Sequence, residues 1–187
     1  MVQVPERTLT LEAFLRLPET KPASEYINGQ VVQKPIPQGK HSIIQGELTT
    51  AINAAVKRQK VACAFPELRC TFGGRSIVPD IAVFAWERIP VDENGDITNV
   101  FPLYPDWTIE ILSPEQSLTK VAGNILHCLK QGTQMGWLID PEEKSLLIFP
   151  PGQQPELLQD SEEKLPVPKL VVDLQLTVGE VFGWLKL

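Results

Sequence analysis

The sequence predicts an α/β (α+β) domain with a mixed central β-sheet flanked by helices, and three observations support this class. Short apolar, β-branched runs are set between helical segments in the order helix, three strands, helix, strand. Two of the runs, 78–84 and 107–112, have the composition of strands buried on both faces. The chain of 187 residues, 43% of them hydrophobic, is long enough to bury a substantial core. We expect a single domain over 1–187, with an N-terminal helix in 1–20 and a C-terminal extension in 150–187.

Hydrophobic periodicity and turn signals place the elements along the chain. A short helix is predicted over 11–17 with Thr10 as its N-cap, and a longer helix over 41–58. Asn28-Gly29 supplies the two positive-φ residues of a type I′ turn, which predicts a hairpin over 25–32. The remaining predictions are a β-meander with strands at 61–65, 67–72 and 78–84, a polar excursion over 86–106, a strand at 107–112, a helix over 117–130, strands at 135–140 and 144–149, and a last helix after a capping box at 177–180.

The helix over 117–130 is amphipathic, and its faces can be assigned from the spacing of its apolar residues. The packing face is predicted to consist of Leu118, Val121, Ala122, Ile125, Leu126 and Leu129. The residues then expected to point toward another side are Ser117, Lys120, Asn124, His127 and Cys128. Gly132 is expected to end the helix.

Composition and charge exclude several classes of protein. The net charge of −6 and a pI near 5.0 disfavour a protein that coats nucleic acid through a general basic surface. A local basic patch formed by the first half of the chain is compatible with this charge. No apolar run approaches the ~18 residues of a membrane span, and the N-terminus lacks a signal-peptide core, so we expect a cytoplasmic protein without membrane contact. Cys63, Cys70 and Cys128 lack metal-site spacing and are interpreted as buried thiols.

Each of the two apolar strands carries one carboxylate where the pattern predicts none. These are Asp80, in Val78-Pro79-Asp80-Ile81, and Glu110, in Trp107-Thr108-Ile109-Glu110-Ile111. Burying an ionised acid is costly, so two acids in neighbouring core strands suggest a shared divalent cation with oxygen ligands. The alternative interpretation is that they are solvated strand ends or ion-pair partners.

Five short motifs follow one another along the chain: Glu25-Tyr26-Ile27-Asn28-Gly29, His41 at the start of a helix, Val78-Pro79-Asp80-Ile81-Ala82-Val83, Glu110-Ile111-Leu112-Ser113-Pro114, and Gly132 followed by Gly136-Trp137-Leu138-Ile139-Asp140-Pro141. In this order they resemble the PD-(D/E)XK nuclease superfamily, and in detail its Uma2 (DUF820) branch of restriction endonuclease-like proteins. They cover most of residues 20–150. The resemblance implies a restriction-endonuclease-like core.

The resemblance also implies a site that binds Mg²⁺ or Mn²⁺ and hydrolyses DNA. Asp80, Glu110 and the backbone carbonyl of Ile111 would be the metal ligands. The chain departs from the superfamily at Leu112, where a lysine is expected, and relatives in the Uma2 branch carry that lysine at the position of Asn124. Lys120 lies one helical turn earlier, ~6 Å along the axis, and is therefore the candidate catalytic lysine.

Three further residues are accessory candidates. Glu25 and Glu67 would extend the acidic cluster, and His41 would contact phosphate or hydrogen-bond the site; each has an alternative role as an ordinary surface or locally bonded residue.

The leading hypothesis is a metal-dependent endonuclease, expected as a homodimer because two sites can then address two DNA strands. The alternatives are a catalytically degenerate nucleic-acid or protein interaction module and a structural dimerisation domain.

Overall fold

A computed structural model describes residues 9–114 and 116–186 of the chain. Over these residues it contains four α-helices and ten β-strands. The helices are α1 (Leu11–Leu15), α2 (Gly39–Val56), α3 (Leu118–Gln131) and α4 (Val178–Gly183). The strands are β1 (Ser24–Ile27), β2 (Gln30–Gln33), β3 (Ala62–Pro66), β4 (Cys70–Phe72), β5 (Arg75–Ile77), β6 (Ile81–Ala85), β7 (Trp107–Ile111), β8 (Met135–Asp140), β9 (Ser145–Phe149) and β10 (Glu156–Leu158).

Six of the strands form the main sheet, in the order β10-β9-β8-β7-β6-β3. β7 and β8 are parallel, and every other neighbouring pair is antiparallel. Parallel neighbours need a crossover connection, which α3 provides here. This mixed sheet with flanking helices confirms the predicted fold class.

The two faces of the main sheet pack against different layers. Trp107, Ile109 and Ile111 of β7 lie in the largest apolar cluster, together with residues of α2, α4 and the C-terminal segment. Successive side chains of a strand point to opposite faces, so Thr108 and Glu110 point toward the other layer. There α3 packs on the sheet through Val121 and Ile125 and their neighbours. Glu110 is therefore directed away from the main core.

The other four strands form a small sheet in the order β2-β1-β5-β4. The predicted β-meander is wrong on this point, because β3 pairs with β6 while β4 and β5 pair with each other around Gly73-Gly74. Strand pairing is interrupted between Ile77 and Ile81, where Pro79 has no N–H to donate to a ladder. The segment 78–80 is thus the connection that carries the chain from the small sheet to the main sheet.

The local turn and capping predictions are confirmed. Asn28 and Gly29 have φ values of 51° and 84° at the turn between β1 and β2. The Thr10 hydroxyl accepts from the Ala13 amide at 3.1 Å, and a complete capping box joins Thr177 and Glu180 at the start of α4.

The predicted packing face of α3 is partly wrong, because Leu118 and Leu126 are each 46% exposed. Asn124 and Cys128 point toward another side, as predicted, but that side is also buried. The reason is that α3 touches two layers: Ile125 packs on the main sheet, and Cys128 lies in a cluster with residues of β4 and β5. A helix between two layers buries small and polar residues that the apolar pattern assigns to another side.

The excursion over 86–106 contains a 3₁₀ segment at Trp86–Arg88 and is anchored where it returns to the sheet. Asp106 is buried, accepts from the Ala85 amide at 2.8 Å, and pairs with Arg88 at 2.6 Å. The C-terminal segment adds the edge strand β10, which the sequence did not predict, and Leu165, Val171 and Leu174 to the main core. Among the described residues, no helix has the length and apolar character that crossing a membrane requires.

Candidate functional site

Asp80, which immediately precedes β6, lies beside Glu110 of the neighbouring strand β7. Ile81 of β6 pairs with Ile109 of β7, so the antiparallel register places Asp80 opposite Glu110, one residue further along. Both carboxylates are almost completely buried, with 3% and 4% of their side-chain surfaces exposed. The sequence predicted this pair of buried acids, and the structure brings them together.

A lysine ammonium lies between the two carboxylates. Lys34 follows β2 in the small sheet, and its Nζ is 2.6 Å from Asp80 Oδ1 and 3.6 Å from Glu110 Oε2. The same ammonium donates to the Val78 carbonyl at 2.7 Å. Burial lowers the pKa of Lys34, but the neighbouring carboxylates outweigh it and raise the pKa above its ordinary value, so the ammonium is charged.

Asp80 has partners on both of its oxygens. Besides Lys34 on Oδ1, its Oδ2 accepts from the Ile111 amide at 2.7 Å and lies 3.1 Å from His41 Nε2. Burial raises the pKa of Asp80, but Lys34 and His41 outweigh it and hold the pKa well below its usual range. Asp80 is therefore an ionised, fully engaged carboxylate.

Glu110 is held quite differently. Its Oε1 is buried without any hydrogen-bond partner, and its Oε2 is beyond hydrogen-bond distance of Lys34. Burial raises the pKa of Glu110 well above its ordinary value; Lys34 only partly opposes this, and Asp80 raises it further. A buried carboxylate oxygen without a partner is unusual in a folded protein and marks a position suited to an additional donor or cation.

Glu25 brings a third carboxylate to the same region from β1. Its Oε1 accepts from the Val78 amide at 2.8 Å, and its Oε2 accepts from Asn124 Nδ2 at 3.2 Å. Burial raises the pKa of Glu25, while Lys34 opposes this rise. Asn124 on α3, where the resemblance implies a lysine, is therefore engaged with Glu25.

Two cavities adjoin the buried charges, one on either side of Lys34. A cavity of about 590 Å³ is lined by Asp80, His41 and Glu67, together with the 34–37 segment. A second cavity of about 560 Å³ is lined by Glu110, Glu25, Asn124 and Lys120, among others. Lys34, Pro35 and Gln116 line both cavities. Asp80 is thus reached from one cavity and Glu110 from the other.

The remaining predicted residues lie at the borders of these cavities. Lys120 is exposed on the first turn of α3 and lines the cavity that contains Glu110. Glu67 is exposed, and its backbone amide donates to the Asp80 carbonyl at 3.1 Å. Leu112 is half-buried and packs with the α3 layer. Ile111 contributes its amide to Asp80, as described above.

Lys34 is the charged residue of the site that the sequence did not single out. It was visible only as one of several basic residues in the first half of the chain. One signal in the sequence is that Lys34 lies two residues beyond the predicted hairpin, which also carries Glu25. Only the packing of the small sheet against the main sheet brings it to Asp80.

A divalent cation bound near Lys34 would have two candidate carboxylate ligands, Asp80 and Glu110, which already converge on the lysine ammonium. Within residues 9–114 and 116–186, no set of three or more His, Cys, Asp or Glu side chains is arranged to hold a metal ion. The oxygen donors are therefore Asp80, Glu110 and oxygens of other kinds. This donor set resembles Mg²⁺ sites, where one or two carboxylates act with water and substrate phosphate.

Comparisons with known proteins agree with the fold and with the motifs. The model of the family described as "Uma2: Putative restriction endonuclease" matches residues 11–179. A crystal structure from Anabaena variabilis, described as "a putative nuclease belonging to DUF820", matches with a TM-score of 0.93 at 58% sequence identity, covering 95% of this chain and 99% of that chain. The comparison with curated proteins gave no match. Because the family model spans nearly all of the described residues and this structure superposes over almost its whole length, the chain belongs to the Uma2 family.

Proposed function

We propose that this protein is a Mg²⁺- or Mn²⁺-dependent endonuclease, and that Asp80 and Glu110 form the site at which it hydrolyses DNA phosphodiester bonds. The observation that carries the proposal is the convergence of two buried carboxylates from adjacent strands on one cation position, between two open cavities. The names of the family and of the Anabaena protein, restriction endonuclease and nuclease, support the same chemistry.

Metal dependence is supported by the donor atoms that the two carboxylates offer. Glu110 Oε1 has no partner, and hard oxygen ligands suit Mg²⁺ and Mn²⁺. The Ile111 carbonyl is a third candidate ligand, because it belongs to the residue whose amide binds Asp80. When bound, the ion would neutralise charge on the phosphate and lower the pKa of a bound water.

The chain's own residues would bind and orient the substrate and the attacking water. His41 and the Ile111 amide hold the Asp80 carboxylate in one orientation, so a metal ion bound to Asp80 would also have a fixed position. Lys120 borders the cavity that contains Glu110, and from there its ammonium would orient a water or bind a phosphate oxygen. A homodimer, the commonest assembly of soluble proteins, would present two such sites to the two DNA strands.

The second candidate function is a catalytically inactive interaction module for nucleic acid or protein. The observation that favours it is the absence of a lysine at Leu112 and Asn124, where the Asn124 amide is engaged with Glu25.

Plasmid cleavage decides between these functions. The parent, Glu110→Gln and Asp106→Asn are incubated with supercoiled DNA in Mg²⁺, in Mn²⁺ and in EDTA. Asp106→Asn is the matched control, because Asp106 is also a buried, ion-paired carboxylate next to the main sheet but lies outside the site. We expect metal-dependent cleavage by the parent and the control, and loss of cleavage in Glu110→Gln. DNA binding without cleavage by the parent in either metal would instead favour the interaction module.

A further inference from the structure

The ammonium of Lys34 occupies the position that a cation shared by Asp80 and Glu110 would need. Its Nζ is 2.6 Å from Asp80 Oδ1, 2.7 Å from the Val78 carbonyl and 3.6 Å from Glu110 Oε2. The side chain is 12% exposed, so this is an interior contact. An ammonium has three N–H donors, of which Asp80 and Val78 engage two.

A divalent ion and this ammonium cannot occupy the position together. Oxygen ligands lie about 2.0–2.6 Å from Mg²⁺ or Ca²⁺, so an ion bound between Asp80 Oδ1 and Glu110 Oε2, the two oxygens nearest the ammonium, would have to take the place of Nζ. Two cations at such a distance also repel strongly in an interior of low effective dielectric. Binding of the ion to these oxygens therefore requires that the ammonium move.

The surroundings of Lys34 leave room for that movement. Its side chain forms part of the wall of both cavities, and its flexible four-carbon stem allows the ammonium to leave without a change in the backbone. The contact with Glu110 is long, which leaves Asp80 and Val78 as the contacts that must be broken.

We propose that Lys34 is a tethered competitor of the metal, which fills the cation position in the metal-free protein and withdraws into an adjoining cavity when the divalent ion binds. This inference rests on the proposed metal-dependent function. It assigns Lys34 a positioning role: in the metal-free protein it holds the two carboxylates around one cation.

The consequence is a reduced apparent affinity for the metal. A site that is competent in only a fraction of molecules binds with an affinity reduced by that fraction. If the ammonium leaves the position in about one molecule in ten, removing it should tighten Mn²⁺ binding about tenfold.

The test is a calorimetric titration of Mn²⁺ into the parent, Lys34→Met and Lys40→Met. Lys40 is the matched control, because it is an exposed lysine paired with Glu142 away from the buried carboxylates. We expect Lys34→Met to bind Mn²⁺ at least about tenfold more tightly than the parent, and Lys40→Met to bind as the parent does. Lys34→Gln, which keeps a hydrogen-bond donor without charge, replaces Lys34→Met if the latter does not fold in EDTA.

A second measurement uses the unaltered protein. Acetylation of lysines by an N-hydroxysuccinimide ester, followed by mass spectrometry, reports how accessible each amine is. We expect saturating Mn²⁺ to raise the modification rate of Lys34 several-fold and to leave that of Lys40 unchanged. A Lys34 amine that stays equally protected or becomes more protected would contradict the withdrawal.

The outcomes separate this inference from the proposed function. If the parent binds Mn²⁺ and Lys34→Met binds it equally or more weakly, the inference fails and the metal-dependent function stands. If only Lys34→Met binds Mn²⁺, the lysine has replaced the metal in the parent, which overturns both the withdrawal on metal binding and the metal-dependent function of the parent. If neither protein binds Mn²⁺, both are overturned.

Discussion

Neutralising Asp80 and neutralising Glu110 should have very different effects on the metal-free protein, although the two acids are neighbours. Asp80→Asn keeps the shape of the side chain but removes a charge that binds Lys34, His41 and the Ile111 amide. An asparagine has one acceptor oxygen and would turn an NH₂ group toward one of these donors. Lys34 would then be a buried ammonium without its principal counter-ion.

The magnitude follows from these contacts. Removing one partner of a buried ion pair costs about 3–5 kcal/mol, because the other charge is left uncompensated. For a chain of this length that corresponds to a fall in melting temperature of roughly 6–20 °C. Glu110→Gln removes a carboxylate with one unpaired oxygen, a long ion-pair contact and a raised pKa, so near neutral pH it should leave the stability of the metal-free protein unchanged or raise it.

The assay is urea denaturation of the parent and the two variants in EDTA near pH 7.5. A cooperative transition with an unchanged m-value would show that the variants differ from the parent in stability and not in compactness. Equal losses in both variants, or a larger loss in Glu110→Gln, would refute the assignment of Asp80 as the engaged acid and Glu110 as the poorly satisfied one.

Three further predictions test other parts of the structure. Lys120→Met should abolish DNA cleavage while leaving the melting temperature unchanged and Mn²⁺ affinity within a few-fold, because Lys120 is exposed and is not a proposed ligand; a cleaving variant would remove its catalytic role. The unfolding free energy in EDTA should fall as the pH rises above about 4.5 toward the raised folded-state pKa of Glu110, because the folded protein retains a proton that the unfolded chain has released. Melting curves recorded over this pH range should show a weaker fall for Glu110→Gln. Glu25, whose pKa is also raised, should account for part of the pH dependence that the variant retains. Gly136→Ala should lower the unfolding free energy by about 1–3 kcal/mol, because the new Cβ would overlap Ile125 Cγ2 in the α3 layer. Gly46→Ala is the control: it lies in an open position on α2 and should raise the unfolding free energy by up to about 1 kcal/mol. Equal effects of the two substitutions in denaturant titrations would contradict this account of the β8–α3 contact.

Local chemistry made much of the fold predictable from the sequence. The Asn28-Gly29 turn and the Thr177-Glu180 capping box are specified by residues a few positions apart, and both are present in the structure. The pairing of Asp80 with Glu110 was predictable for a related reason. Each acid interrupts an apolar strand, and antiparallel neighbours in one sheet bring such positions together.

The features that the sequence did not predict depend on contacts between layers. The assignment of β4 and β5 to the small sheet depends on where the chain crosses at Pro79, and Asn124 is buried because α3 lies between two layers. Lys34 is the clearest case, since it is 46 residues from Asp80 along the chain and nothing in its local sequence distinguishes it from an exposed lysine.

The small sheet supplies the positive charge that balances the acids of the main sheet. Because Lys34 follows the edge strand β2, detachment of that edge would leave Asp80 and Glu110 facing each other with no ammonium between them. Partial opening at β2 would therefore require uptake of a proton or capture of a metal ion, which makes it a sub-global event with a high free energy. The amide hydrogens by which the exposed edge strand β2 pairs with β1 should for this reason exchange as slowly as those of a core segment.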